Sequence, residues 1–215
     1  MALIQGIPGE FEPQPWGEAI LRSRELLLLR IVPQDTVTAN ADGVWDLAPV
    51  GPTAHLVARR AADVAVRFVG MVAPDSQHQI RLAGRRYGVT GHQLTRTTIG
   101  PFPMPDNRVV PLAVPAGIRR VLVAPVGTVL ASIHPGRAEV TVVVTNFGRT
   151  TVRGEVELPL PVGWSAAEQT WMFDGLEPGR SIGWVTRVTG AGTGELHARL
   201  DAGRRSASSP YVVHL

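Results

Sequence analysis

Residues 138–146 read Ala138-Glu-Val-Thr-Val-Val-Val-Thr-Asn146, and this stretch decides the fold class. Val140, Val142 and Val144 fall on one side of a period-two pattern, while Thr141 and Thr145 fall on the other. The pattern predicts a strand with one buried face and one half-wet face. Asn146-Phe-Gly148 follows as a turn signal, because Asn and Gly tolerate positive φ at low cost, and a β-rich run resumes from Thr150 to Leu158. The two runs predict a hairpin.

Working outward, the chain continues with Leu158-Pro-Leu-Pro-Val-Gly-Trp164, a strand at Gln169-Thr-Trp-Met-Phe173 and the turn Leu176-Glu-Pro-Gly179. A strand from Ser181 to Val188, a Gly-rich turn at 190–194, and closing strands around Glu195 to Leu200 and Tyr211 to Leu215 complete the series. Short strands at this spacing predict an immunoglobulin-like β-sandwich over residues 135–215. With Val-Thr-Val-Val-Val-Thr-Asn146, Leu-Pro-Val-Gly-Trp164, and Leu-Glu-Pro-Gly179 before Ile182-Gly-Trp184, residues 137–215 resemble the bacterial Ig-like modules called NEW3. Here Val162 stands between the Pro and Gly of that family's Pro-Gly-Trp-like corner. Such modules are appended to glycosidases and other secreted enzymes, so the resemblance implies a fold and a modular setting. It does not imply an activity.

A chain of 215 residues with 44% hydrophobic residues holds one large β domain or two small ones, and the strand pattern favours two. The 23 Gly and 18 Pro lean toward turns and strands. There is no cysteine, which excludes disulfides, thiolate metal sites and cysteine nucleophiles. All 21 Lys+Arg positions are Arg, and the net charge is only +3. The arginines stand singly or as the scattered pairs Arg59-Arg60, Arg85-Arg86, Arg119-Arg120 and Arg204-Arg205, so no basic face for nucleic acid is expected. A GC-rich coding bias accounts for Arg in place of Lys.

The N-terminus lacks the basic, apolar and small-residue order of a secretory peptide, so synthesis in the cytoplasm is expected. Leu26 to Leu29, with Ile31 and Val32, is broken by Arg30 and falls short of the roughly 20 apolar residues of a membrane span. Residues 1–16, with Pro8, Pro13 and Pro15, read as an extended arm. Residues 17–134 read as a β-rich sandwich or barrel-like domain. Within it, Glu18 to Val32 fits a short helix or two β runs, with strand preferred. Val64-Ala-Val-Arg-Phe-Val69 alternates, and Gln79 to Leu82 forms a hairpin with Arg86 to Val89 through Ala83-Gly84-Arg85. Val110 to Gly117 and Arg119 to Val123 suggest a jelly-roll or sandwich edge. Gly100-Pro-Phe-Pro-Met-Pro-Asp-Asn107 reads as a stiff connection and is the leading candidate for a contact loop.

No catalytic constellation emerges. His55, His78, His92, His134, His197 and His214 never fall at metal-ligand spacing, and no Gly-rich phosphate loop joins a strand to a helix. Asp75-Ser76-Gln-His78 is the nearest approach to a nucleophile site, and a polar loop after Pro74 explains it as well. Trp164, Trp171 and Trp184 offer either a sugar platform or interior packing, with packing favoured, while Trp16 and Trp45 stand isolated. The sequence therefore assigns no catalytic, cofactor or metal residue and no cofactor.

The expectation is a non-enzymatic structural or assembly protein. The favoured form is a bacteriophage virion component, a tail or capsid-decorating protein with an Ig-like surface domain. Its partners would be further copies of itself, other virion proteins and a host-surface glycan, without direct nucleic-acid contact or membrane insertion. The alternative is a carbohydrate-binding or spacer module of a secreted carbohydrate-active enzyme.

Overall fold

The computed structural model describes residues 2–5, 11–13, 19–21, 30–33, 35–135, 139–203 and 205–214, with side chains described for 33, 35–134, 139–203, 205–210. Two compact units divide the chain, 1–36 and 37–215. In the first, β1 (Ala2–Gln5) pairs antiparallel with β4 (Arg30–Pro33), and β2 (Phe11–Pro13) pairs with β3 (Ala19–Leu21). The extended arm expected at 1–16 is thus corrected, because Ala2–Gln5 and Phe11–Pro13 are paired strands of a unit running to Thr36. The preference for strand over helix between Glu18 and Val32 agrees with β3 and β4; the rest of that segment, like Trp16, lies outside the described residues.

The second unit holds two sandwiches. The first is built from β5 (Thr36–Thr38), β6 (Trp45–Leu47), β7 (Thr53–Val57), β8 (Ala62–Gly70), the hairpin β9 (Gln77–Leu82) and β10 (Arg85–Thr90), helix α1 (Gly91–Arg96), β11 (Ile99–Met104), β12 (Val109–Ala113) and β13 (Ile118–Pro125). One sheet runs β11-β8-β13-β6 and the facing sheet β12-β7-β5. The alternation of β8 explains the arrangement: Val64, Val66 and Phe68 enter the core with Leu56, Leu112, Val121 and Val123. Ala65 and Arg67 take the opposite face.

Three local readings are refined here. The β9–β10 hairpin turns on Ala83 and Gly84 alone, with φ of 48° and 79° and Arg85 already paired with Leu82. That is the doubly positive φ of a primed turn, whose twist matches the strands. Helix α1, unmarked in the sequence reading, opens with a capping box between Thr90 and Gln93. The supposed contact loop at 100–107 is mostly strand β11, with Phe102 and Met104 buried. Its prolines are tolerated because β11 is an edge and the ladder slips between Ile99 and Phe102.

The second sandwich contains β14 (Val129–Pro135), β15 (Val140–Asn146), β16 (Val152–Glu157), β17 (Ser165–Ala166), β18 (Thr170–Leu176), β19 (Ser181–Thr186), β20 (Val188–Thr189), β21 (Thr193–Leu196), β22 (Arg199–Asp201), β23 (Ser206–Ser209) and β24 (Tyr211–His214). Its sheets run β19-β15-β14-β23 and β18-β16-β22, and β14 lies parallel to β23 while every other pair is antiparallel. Val129, Ala131 and Ile133 join Val140, Val142 and Val144 in this core. The domain boundary expected between 134 and 135 therefore moves upstream, to the turn after Pro125. The fold is all-β and Ig-like, with one short helix among the described residues.

Candidate functional site

The two sandwiches meet sheet to sheet. Strands β8 and β13 turn Ala65, Leu122 and Ala124 away from the first core, joined by Val44 just before β6, and β14 and β23 turn Leu130 and Ala207 away from the second. These side chains pack together around Phe147, which is 2% exposed. Each participating sheet is consequently buried on both faces near the seam, which explains the unbroken apolar run Val121-Leu-Val-Ala124. The backbone is held here too: Phe147 N donates to Thr128 O at 2.9 Å, and Gly127 N to Phe147 O at 3.0 Å, prolonging the β14–β15 ladder into the turn after Pro125.

Polar residues flank this apolar seam. Arg120 of β13 makes a two-pronged ion pair with Asp46 of β6, Nε to Oδ1 and Nη2 to Oδ2. Its remaining Nη1 donates to the carbonyl of Ile133 on β14. Arg120 thus belongs to the first sandwich and hydrogen-bonds the second. His134, next along β14, contacts the Ser132 hydroxyl through Nε2 at 3.0 Å. Burial, followed by the Arg120 charge, lowers its pKa from 6.5 to about 4, against a smaller upward pull from Asp46. The imidazole is neutral at pH 7.

Arg67 lies on the same outer face. Its Nη1 is buried without a hydrogen-bond partner. Burial first, then the charges of Arg180 and Arg96, bring its pKa from 12.5 to about 10. Ile99, which follows Thr98, pairs with Val66, next to Arg67, and Thr98 N donates to Gly179 O at 3.0 Å. Arg96, two residues before Thr98, and Arg180, next to Gly179, thereby converge on Arg67 from the two sandwiches.

The residues singled out in sequence are distributed elsewhere. Ser76 Oγ donates to Ala73 O and meets His78 Nε2 at 2.7 Å, but among the described residues no hydrogen bond or ion pair joins Asp75 to His78. Ser132 with His134 and Ser208 with His197 repeat the Ser–His contact, again with no carboxylate hydrogen-bonded to the ring among the described residues. A triad requires that third group to orient the imidazole. No group of three or more His, Asp or Glu side chains is placed to hold a metal among the described residues.

The described tryptophans pack inward. Trp45 and Trp171 are buried, Trp171 and Trp184 stack with centroids 6.0 Å apart, and Trp164 lies so close over Gly190 that a Cβ there would collide with its ring, with Gly194 also tightly against it. The packing reading of Trp164, Trp171 and Trp184 agrees with the structure. An open groove of about 860 Å³ instead lies on the outer face of the β18-β16-β22 sheet, bordered by Arg153, Glu155, Glu157, Met172, Asp174 and Arg199. At the far edge of the other sheet, β19 pairs among the described residues only with β15, carries no charged residue, and leaves Val185 60% exposed.

Sequence reasoning did not single out Arg67, Asp46, Arg120 or Phe147 as site residues. The one available signal was apolar character on both faces of β13, since such a run marks a strand covered twice.

No protein-family model matches this chain, and no curated protein does. Among solved structures it is similar to a GH2 β-galacturonidase from Eisenbergiella tayi, bound to glycerol, at 10% identity and TM-score 0.36 over 91% of this chain and 40% of the other. The same enzyme bound to galacturonate gives 10% identity and TM-score 0.38 over 89% and 40%. The D0-D1 domain of Intimin is similar at 13% identity and TM-score 0.28 over 83% and 94%. The chain spans about 40% of the length of the galacturonidase.

Proposed function

We propose that this protein is a non-enzymatic assembly component, a tail or capsid-decorating protein of a bacteriophage virion, that joins to copies of itself and to other structural proteins. The observation supporting this reading is the open edge of β19. Ser181 to Thr186 contains neither Pro nor a charged residue, the devices that usually blunt an edge, and Ile182 and Val185 face solvent. Such an edge accepts a strand from another chain, with backbone hydrogen bonds for affinity and side chains for selection. Light scattering at several concentrations tests it. The expected result is a defined oligomer that Val185→Lys reduces to monomer without loss of folding. A wild-type chain that stays monomeric and does not bind particles lacking it overturns the reading.

A second reading, a glycan-binding or spacer module, draws on the groove at Arg153, Glu155, Glu157 and Arg199, whose carboxylates and guanidiniums suit sugar hydroxyls. The NEW3 resemblance of residues 137–215 belongs to this reading. Binding on a glycan array that is lost in Arg199→Ala supports it, and a blank array removes it.

A further inference from the structure

The polar flank of the seam is short of negative charge. Arg120 is matched by Asp46, and Arg180 stands 3.8 Å from Glu177. Among the described residues, no carboxylate comes within ion-pair distance of Arg67 or Arg96. Burying an unmatched guanidinium is costly, and removing solvent from its nitrogen without supplying an acceptor adds to that cost. A second sandwich that brings Arg180 toward Arg67 raises the local potential further. The neighbouring imidazole of His134 is neutral and cannot serve as counter-ion.

We propose that the seam between the two sandwiches is a binding site for a tetrahedral dianion, a phosphate or sulfate group, gripped by Arg67 and enclosed by Arg96 and Arg180. Three observations on the fold support it. The Nη1 of Arg67 is buried without an acceptor, and among the described residues its Nε and Nη2 make no hydrogen bond, leaving the paired donors whose spacing fits two oxygens of such a group. The two cations without carboxylates, Arg67 and Arg96, match a charge of −2 and not −1. The hydrogen bond from Thr98 to Gly179 fixes the backbones that bear Arg96 and Arg180, so the ligand-binding cations come from both sandwiches. An anion seated there fastens one sandwich to the other. This site is independent of the assembly reading given above.

Isothermal titration calorimetry of the full chain with sodium phosphate and sodium sulfate, at ionic strength held constant with sodium chloride, tests the site. One equivalent of either anion is expected to bind saturably, and Arg67→Met to weaken binding by about 30-fold. Glucose 6-phosphate as a third titrant separates the sources: tighter binding than inorganic phosphate assigns the site to a phosphate ester, weaker binding to the free ion. Should Arg67→Met fail to fold, Arg96→Gln combined with Arg180→Gln, both exposed, is expected to weaken binding by about 10-fold. No saturable heat from the wild type, or undiminished affinity in these variants, overturns the proposal.

Discussion

Arg120 and Asp46 form a two-pronged ion pair whose side chains are 13% and 9% exposed, and the third arm of the guanidinium holds the Ile133 carbonyl of the other sandwich. One residue therefore satisfies its own charge within the first sandwich and a backbone acceptor in the second. The geometry is of the kind in which planar Arg outperforms Lys, because a point charge cannot fill three directions at once.

Removing one partner should cost far more than removing both. Asp46→Ala leaves Arg120 buried and unmatched, with an expected loss of about 3 kcal/mol in urea unfolding. Asp46→Leu with Arg120→Met should recover most of that loss, leaving the Ile133 carbonyl as the residual defect. Equal losses for the single and double variants would show that the pair is not desolvated.

Phe147 is the largest apolar side chain of the seam cluster, and Phe147→Ala should cost about 3–5 kcal/mol. The loss falls on the coupling between the sandwiches more than on either core. Calorimetry of the wild type should therefore give one transition for residues 37–215, and the variant two. A single transition merely shifted downward would show that the sandwiches do not depend on this contact.

His134 sets part of the acid limb of stability. Its folded pKa, about 4, lies below the unfolded value of 6.5, so the unfolded chain takes up a proton that the folded chain refuses. The stability is intact above pH 6.5 and falls as pH drops toward 4, by about 3 kcal/mol over that interval. His134→Gln should flatten this part of the profile. The His134 ring resonance should stay in its neutral position until the pH approaches 4.

Asn146 should not tolerate replacement by Asp. Its buried amide donates to Thr150 O and Leu176 O and accepts from Gly148 N, closing the turn after β15 and tying it to the end of β18. Asn146→Ala strands these backbone groups at a cost of about 2–3 kcal/mol. Asn146→Asp keeps the acceptor, loses both donors and buries a charge, so its melting temperature should fall further than that of the Ala variant.

The sequence was legible where one face of a strand is apolar and the other polar. Val140, Val142 and Val144 marked β15, and Val64, Val66 and Phe68 marked β8, because alternation alone decides their two faces. It was silent where a strand carries no such contrast. Strand β23, Ser206-Ala-Ser-Ser209, is small and polar, yet pairs with β14 and sends Ala207 into the seam. Missing it left β14 without its second partner and misplaced the domain boundary. The prolines of β11 resemble loop punctuation until the strand is known to be an edge. Arg67 sits at an outward position of an ordinary amphipathic strand, and only a second sheet laid over that face turns it from a surface charge into a buried one.

The parallel pairing of β14 with β23 also sets an order of events during synthesis. Strand β14 leaves the ribosome directly behind the first sandwich, but the neighbour on its far side, Ser206 to Ser209, follows only after every other strand of the two sheets. Until then the second sheet lacks its closing strand, and Leu122 and Ala124 on the finished first sandwich lack part of their cover. Nascent chains spend that interval with an apolar face uncovered, the state in which tandem β domains are most prone to pair with the wrong neighbour.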